Sequence, residues 1–300
     1  MNVGISVSER TVLITGGAMG MGRLYAERAV SEGAKAVILW DRDAKALAAS
    51  AAEIQSLGGS RIHTYALDVS SLEEVTQAAT ATMSDADVPD VLINNAGIVR
   101  SAYFWDHTDA DIDAVMQVNT LAPMHVTRSF LPRMIERPTP ARILNVASAS
   151  GTLSVPKMSV YTASKWAVIG WSDSVRLELE EAGHGHVRVT TLIPSYIKTG
   201  MFEGARGPLL TPLMEPEYVV NRAWTALMEG KARVQLPWTV PLGSALRGVL
   251  PQPVWDVVAG RVFQVYRSMD HFTGRPTPRP DAAPAANGGP SRTSASGTTA

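Results

Sequence analysis

Cysteine is missing from this chain of 300 residues, which excludes disulfide bonds, thiolate metal ligands and a cysteine nucleophile. We expect no metal site. A charge excess is also missing, because 27 basic and 28 acidic side chains leave a net charge of −1, so no nucleic-acid partner is expected. Long apolar runs and a signal-like N-terminus are missing too, and we therefore expect a cytoplasmic protein without a spanning helix.

What is present is an alternation of short, β-branched apolar runs with longer segments of helical spacing. Six predicted strands cover residues 11–15, 36–40, 62–67, 91–93, 142–147 and 187–193. The predicted helices cover residues 23–30, 44–57, 72–83, 110–136, 160–181 and 216–229. Continuous apolar strands joined by helices are typical of parallel sheets covered on both faces. The predicted fold class is therefore α/β, with a single Rossmann-type, doubly wound parallel sheet.

Composition divides the chain into three parts. Residues 1–232 carry the alternating pattern without a linker and form one predicted domain. Residues 233–274 are an apolar extension with few charges, which packs on a pocket, on another subunit or on a membrane surface. Residues 275–300 are rich in Pro, Ala, Gly, Ser and Thr, and this composition predicts a disordered tail.

A glycine-rich turn follows the first predicted strand. Gly16, Gly20 and Gly22 are spaced G-x-x-x-G-x-G, with Met21 between the last two, and a predicted helix follows. Residues without side chains let the backbone approach a phosphate, while the helix N-terminus offers N–H groups and a partial positive charge. The pattern favours a nucleotide pyrophosphate site, although a strand–helix turn without a ligand has the same appearance.

Two acidic residues follow the next two strands. Asp41 stands about 20 residues after the glycine turn, where a carboxylate can bond an adenosine ribose and repel a 2′-phosphate. NAD is therefore favoured over NADP, although Arg42 beside it keeps a phosphate contact open. Asp68, followed by Val69, is placed to bond an adenine amino group, with a turn or helix cap as the alternative.

Two amides and a glycine follow the fourth strand as Asn94-Asn95-Ala96-Gly97. Ligands bind at the carboxyl ends of strands in open α/β sheets. We expect Asn95 to brace the sheet and the backbone of Ala96 and Gly97 to line the cofactor; a structural turn is the alternative.

Tyr161 and Lys165 stand four residues apart on a predicted helix, so the phenol and the ammonium share one face. A nearby ammonium favours the phenolate. Lowering the pKa by about 3 units requires roughly 4 kcal/mol of differential stabilisation, which we expect from this partly buried charge together with a cofactor's positive ring. Ser148 ends the fifth strand and is placed to hold a carbonyl oxygen beside the phenol, with Ser150 as a competitor. The alternative for Tyr161 and Lys165 is that they are merely neighbours on a solvated helix face without a shared site.

Taken in order, these motifs resemble the short-chain dehydrogenase/reductase family across residues 8–232. The resemblance implies an NAD-binding catalytic domain in which Gly16, Gly20 and Gly22 form the cofactor turn. It also implies four catalytic residues: Asn119 holds a relay water through its backbone, Ser148 orients the substrate, Tyr161 is the acid/base, and Lys165 binds the nicotinamide ribose and lowers the tyrosine pKa.

The stretch from Pro194 through Ile197 to Thr199 is similar to the family's P-G-x-x-x-T, whose threonine contacts the cofactor carboxamide. Ser195 replaces the usual glycine, which puts the local backbone geometry in question. An apolar flap that begins at Met201 is expected to cover the substrate, with ordinary core packing as the alternative.

A narrower likeness concerns the substrate. The strings at residues 39–43, 146–151 and 215–220 resemble the branch that holds retinol dehydrogenases and membrane-associated 17-beta-hydroxysteroid dehydrogenases. That branch implies a lipophilic alcohol or ketone, such as a steroid, a retinoid or a long-chain alcohol. The expected substrate contacts are Ser148, Ser150, Tyr161 and Met201.

Alternatives to this function keep the same fold. One is a non-catalytic NAD-binding sensor or scaffold, and another is an NADP-dependent carbonyl reductase. Helices 110–136 and 160–181 are long and apolar, and in the family such helices imply a homodimer or homotetramer. The apolar side chains of residues 233–274 permit peripheral membrane contact as well as packing on the pocket or a subunit.

Overall fold

The computed structural model describes residues 4–209 and 211–274, which fold around one parallel sheet. Its strands are β1 Thr11–Thr15, β2 Ala36–Asp41, β3 Arg61–Ala66, β4 Val91–Asn94, β5 Ala141–Val146, β6 Val187–Pro194 and β7 Arg233–Leu236. They lie in the order β3-β2-β1-β4-β5-β6-β7. The predicted α/β class is confirmed, and the strand order reverses between β1 and β4, where ligands of such sheets bind.

Helices cover both faces of the sheet. Within the described ranges the α-helices are α1 Gly20–Ser31, α2 Ala44–Gln55, α3 Leu72–Ala86, α4 Asp109–Met116, α5 Ala122–Glu136, α6 Ser159–Glu181, α7 Pro216–Met228, α8 Thr239–Val249 and α9 Gln252–Val257. On one face α1 and α7 stack Tyr25 on Trp224, with 6.4 Å between ring centroids. On the other face Phe130 of α5 packs against Trp40 of β2.

Polar caps fix where three of these helices begin. Asp43 and Ser71 accept hydrogen bonds from the first N–H groups of α2 and α3. Thr108 and Asp111 form a reciprocal capping box at α4. These starts hold the strand–helix turns at the carboxyl edge of the sheet.

The single helix predicted over residues 110–136 is wrong, because the structure divides it. A π-helical segment, Gln117–Leu121, separates α4 from α5. A π turn lengthens the backbone hydrogen-bond step to five residues, and such turns often occur at functional sites. The apolar pattern continues through it, so periodicity does not reveal the break, although Asn119 lies at its centre.

The C-terminal extension begins later than residue 233, where the sequence predicts its start. Arg233–Leu236 pairs with β6 as β7, so these residues belong to the sheet and not to the extension. After it come α8, α9, a π turn Val258–Val262 and a 3₁₀ turn Val265–Arg267. In the part of the chain described, no helix combines the length and apolarity needed to cross a bilayer. The predicted tail, 275–300, lies outside the described residues.

Candidate active site

The glycine turn joins β1 to α1, and its own packing leaves little room for side chains. Gly16 and Gly20 have positive φ angles of 65° and 55°. A Cβ on Gly22 would overlap the carbonyl oxygen of Gly16 and lie 2.8 Å from Asn95 Nδ2. A Cβ on Gly20 would meet nothing nearer than Thr199 Cβ at 3.9 Å, so open space lies between the turn and Thr199.

This space fits the pyrophosphate of a dinucleotide. Gly20 begins α1, whose first N–H groups have no acceptors within the helix and carry partial positive charge. No acidic residue occupies the first turn of α1, so no side chain there repels a phosphate. The side chain of Met21 packs toward the core, which leaves its backbone for the ligand.

Asp41 ends β2 and holds the glycine turn in place. Its Oδ2 accepts a hydrogen bond from the Ala18 N–H at 3.0 Å, and its Oδ1 accepts one from the Asp43 N–H at 3.1 Å. Asp43, not Asp41, caps α2. Each carboxylate oxygen has a second lone pair, so Asp41 retains acceptor capacity for a ribose hydroxyl.

Asp68 follows β3 and uses its side chain locally. Its Oδ1 accepts hydrogen bonds from the N–H and the hydroxyl of Ser70, at 2.9 and 2.7 Å. Val69 is buried among apolar side chains. The structure therefore shows a turn role for Asp68, and the adenine contact of Asp68 and Val69 stays a prediction.

Asn95 braces the glycine turn from the end of β4. Its Nδ2 donates to the carbonyl oxygens of Thr15 and Gly16, at 3.0 and 3.1 Å. The N–H groups of Asn95 and Ala96 both donate to Thr15 Oγ1 at 3.1 Å. The amide therefore fixes the turn directly, in addition to joining two strands.

Asn119 connects the loop after β4 to α6. Its Oδ1 accepts from the Ile98 N–H at 2.9 Å, and its Nδ2 donates to Ile98 O at 3.0 Å and Ser164 Oγ at 3.1 Å. A Cβ on Gly97 would lie 3.3 Å from Asn119 Oδ1 and 3.6 Å from Lys165 Nζ. The small residue therefore lets the amide and the ammonium approach the same point.

Tyr161 and Lys165 lie at the start of α6 and are only 4% and 5% exposed. Lys165 Nζ stands 5.8 Å from the centre of the Tyr161 ring and donates to Val146 O at 2.9 Å. Ser148 interacts with the Tyr161 hydroxyl, and its Oγ accepts from the Ser150 N–H at 3.2 Å. Because both side chains of the pair are buried, they do not form a solvated helix face.

Burial shifts the pKa values of both Tyr161 and Lys165 in the protein alone. Burial raises the pKa of Tyr161, and its hydrogen bond with Ser148 opposes that rise only in part. Burial also lowers the pKa of Lys165 from 10.5 to about 8. The predicted lowering of the Tyr161 pKa counts a cofactor's positive ring together with Lys165, so it stays a prediction, and in the protein alone desolvation dominates. A further positive charge brought by a ligand would be needed to form the phenolate near neutral pH.

The stretch after β6 ends at Thr199, which faces Gly20 across the open space. Ser195 continues the sheet contact, since its N–H donates to Leu236 O at 2.8 Å. Ile197 is buried in the core, so its side chain supports the stretch from behind. Serine is therefore accommodated where the family pattern has glycine, and Thr199 keeps its place beside the turn.

An apolar cavity opens beside Ser148 and Ser150. The extension supplies much of its wall, including Trp238, Leu242, Leu246, Trp255, Phe263 and Val265. Phe202 lines the cavity, whereas Met201 and Tyr161, two of the four expected substrate contacts, are not among its lining residues. Residues of the extension therefore line this cavity, while packing on another subunit or on a membrane stays a prediction.

Sequence reasoning missed Tyr196, which lines the same cavity. It stands two residues after the end of β6, and a position so close to a strand's carboxyl end is a usable signal. Trp255 carried no such signal, because packing between segments distant in sequence places it over the cavity.

Comparisons with known proteins agree with this geometry. The family model described as short chain dehydrogenase matches residues 10–208. Human estradiol 17-beta-dehydrogenase 11 is 32% identical over 257 residues, which is 86% of this chain and 84% of that protein. Mouse epidermal retinol dehydrogenase 2 is 31% identical over 272 residues, covering 90% of this chain and 87% of that protein.

Solved structures are similar as well. A short chain dehydrogenase/reductase from Burkholderia phymatum, in complex with NAD, has a TM-score of 0.74 at 26% identity, covering 81% of this chain and 94% of that one. A metagenomic short-chain oxidoreductase in complex with NADP has a TM-score of 0.64 at 29% identity, covering 77% and 97%.

Proposed function

Since this chain belongs to the short-chain dehydrogenase/reductase family, it is a hydride-transferring oxidoreductase that uses NAD(P), and we propose that its substrate is a lipophilic alcohol or ketone. The observation that carries this proposal is the position of Ser148, which lines an apolar cavity and contacts the buried hydroxyl of Tyr161. A relative named for estradiol and another named for retinol support the same substrate class.

The chain's own residues handle the proton and the oxygen of the substrate. When bound, the nicotinamide dinucleotide accepts or supplies the hydride. Tyr161 Oη takes the hydroxyl proton during oxidation and returns it during reduction. Ser148 Oγ holds the substrate oxygen, and Lys165 provides a charge and a proton store in a site closed to water. Asn119 fixes the backbone of the π segment, through which a relay water is held.

The buried ammonium of Lys165 favours the catalytic proposal over a non-catalytic scaffold. Burial lowers the pKa of Lys165 to about 8, which means that keeping this charge beside Tyr161 costs folding free energy. A scaffold has no use for such a pair, whereas proton transfer requires groups of perturbed pKa in a cleft.

For the cofactor we propose NAD in preference to NADP. The Asp41 carboxylate lies at the edge of the cofactor space and would repel a 2′-phosphate. The neighbouring Arg42 is exposed and keeps NADP as the second candidate. Dissociation constants of both dinucleotides, measured by quenching of tryptophan fluorescence, test this choice: equal or tighter NADP binding would reject it.

We also propose peripheral membrane contact for a cytoplasmic protein. Every exposed residue of α8 is apolar, and Val249 there is 83% exposed. An apolar helix face beside a lipophilic pocket suits a lipid–water interface. Flotation with liposomes should recover the native protein but not Val249→Glu, while Leu57→Glu, also exposed but in the turn after α2, should still float.

For assembly we propose a homodimer or homotetramer built on α4, α5 and α6. Trp166 and Leu177 are large apolar side chains exposed on α6. Light scattering across a range of concentrations should give a multiple of the 32.1 kDa chain mass, and a constant monomer mass would contradict the proposal.

The substrate class is tested by following nicotinamide absorbance with NAD and a series of secondary alcohols of increasing length, together with steroid and retinoid alcohols. We expect kcat/KM to rise with the apolar size of the alcohol, because the cavity offers few polar partners. Turnover restricted to small polar alcohols would reject the lipophilic substrate, and absence of turnover with every alcohol and ketone would favour the scaffold.

A further inference from the structure

A second tyrosine lies in the substrate cavity, and its hydroxyl is already committed. Tyr196 is buried, and its Oη donates to Ser268 Oγ at 2.8 Å. Ser268 Oγ in turn donates to Val265 O at 2.7 Å, so the order of donors is fixed along the chain of bonds. The phenolic proton of Tyr196 points to Ser268, and it is therefore not available to a substrate oxygen.

One aromatic ring joins the two tyrosines. Phe202 stands edge-on to Tyr161, with 6.0 Å between centroids and 80° between planes. It stands edge-on to Tyr196 as well, at 5.4 Å and 82°. Edge-to-face contacts at these distances are attractive and define orientation. The orientation of Tyr196 is therefore passed through Phe202 to the ring of the acid/base.

The residue that anchors Tyr196 belongs to a C-terminal segment that clamps the loop carrying Phe202. We name residues 263–274 the strap. The strap accepts hydrogen bonds from the N–H groups of Arg206 and Leu209, at Ser268 O and Phe263 O, both at 2.9 Å. In return the Thr273 N–H donates to Glu203 O at 3.0 Å. Three backbone hydrogen bonds therefore join the loop to the strap.

From these contacts we propose that Tyr196 is a positioning residue. Its hydrogen bond to Ser268 holds the strap in place. Its ring thereby forms the part of the cavity wall that sets the distance between the substrate and Tyr161. The proposal rests on the function above, because it assumes that the substrate reacts at Tyr161. Its chemical consequence is a wall that presents an aromatic face and no donor, so the part of the substrate beside the reacting carbon is apolar.

The test compares Tyr196→Phe, Ser268→Ala and the double variant with the native protein in steady-state kinetics. A lost hydrogen bond corresponds to a rise in substrate KM of about fivefold in each single variant. We expect no further rise in the double variant, because both changes remove the same bond. The kcat and the cofactor KM should stay within about twofold in all three variants, a split between KM and kcat that a general loss of stability would not give.

Tyr65→Phe is the matched control. Its Oη donates to Asp85 Oδ2 at 2.7 Å between β3 and α3, so the variant loses a comparable bond away from the strap and the cavity lining. Substrate KM should not change in this variant. Equal KM effects in all single variants, or none in any while thermal unfolding shows folded protein, would overturn the proposal. A native protein without turnover would reject the proposed function and this inference together.

Discussion

The two ends of the active site are built in different ways. At the cofactor end, backbone atoms and small residues form the surface: Gly16, Gly20 and Gly22 shape the turn, and Asn95 holds it. At the substrate end, large apolar side chains such as Trp255 and Phe202 form the wall, and they come from segments distant in sequence. Tyr161 lies where the two ends meet.

The difference follows from the ligands that each end serves. A pyrophosphate is recognised by N–H groups in fixed positions, and few backbone geometries supply them. An apolar substrate is recognised by shape, which many combinations of side chains can supply. The cofactor end therefore leaves a compact signature in the sequence, while the substrate end does not. The following variants should separate the two ends.

The largest effect is expected from Trp255→Ala at the substrate end. Trp255 lies in α9 of the extension and is buried, and truncating a buried Trp costs roughly 3–5 kcal/mol of stability. Calorimetry should show a lower melting temperature, and substrate KM should rise while the dissociation constant of NAD stays constant. The control Trp105→Ala, at a residue 78% exposed, should alter stability by no more than about 0.5 kcal/mol.

Gly22→Ala should have the next largest effect, and it should impair NAD binding at the cofactor end instead of substrate KM. Its Cβ would overlap Gly16 O, so the turn must shift, at a cost of roughly 1–3 kcal/mol. Isothermal titration should show NAD binding weakened by about 100-fold or more, because the phosphate-facing N–H groups are displaced. Gly59→Ala, where an added Cβ meets no atom within 4 Å, should bind NAD normally; weakening there too would contradict the assignment.

Replacing Lys165 should have a smaller effect on the unfolding free energy, and this effect should depend on pH. Its pKa is about 8 when folded against 10.5 otherwise, so the unfolded chain holds more protons between these values and stability rises with pH. Relative to Lys165→Met, the native protein should gain about 2 kcal/mol of unfolding free energy from about pH 7.5 to about pH 9.5. Urea titrations of both proteins measure this, and a constant difference would show that the ammonium is not desolvated.

Asp41→Asn should have the smallest effect. The amide oxygen can still accept from Ala18 or a ribose, but the negative charge is gone, so the preference for NAD over NADP should fall by about tenfold, or roughly 1.4 kcal/mol. Competition between the two dinucleotides measures this ratio. An unchanged ratio would place the discrimination elsewhere.

Several features of the cofactor end were predictable because they depend on neighbours in sequence. The strand–turn–helix with its glycines, the strand-end Asp41 and the pairing of Tyr161 with Lys165 all follow from local spacing, and the structure places them at one edge of the sheet. The parallel sheet followed in the same way from the alternation of apolar strands and helices.

The features that could not be predicted depend on distant contacts or on desolvation. β7 is set by pairing with β6, and the bond between Tyr196 and Ser268 spans 72 residues of sequence. The π segment around Asn119 leaves the apolar pattern unbroken. Burial, which spacing does not report, raises the pKa of Tyr161 in the protein alone.

The central claim is that Tyr161 moves the substrate proton at the junction of the two ends, and Tyr161→Phe tests it most directly. The variant keeps the buried ring and loses only the hydroxyl. We predict NAD affinity within about twofold of the native value and kcat lower by about a thousandfold or more with the best alcohol found. A folded Tyr161→Phe protein that turns over this alcohol at near-native rate would contradict the account.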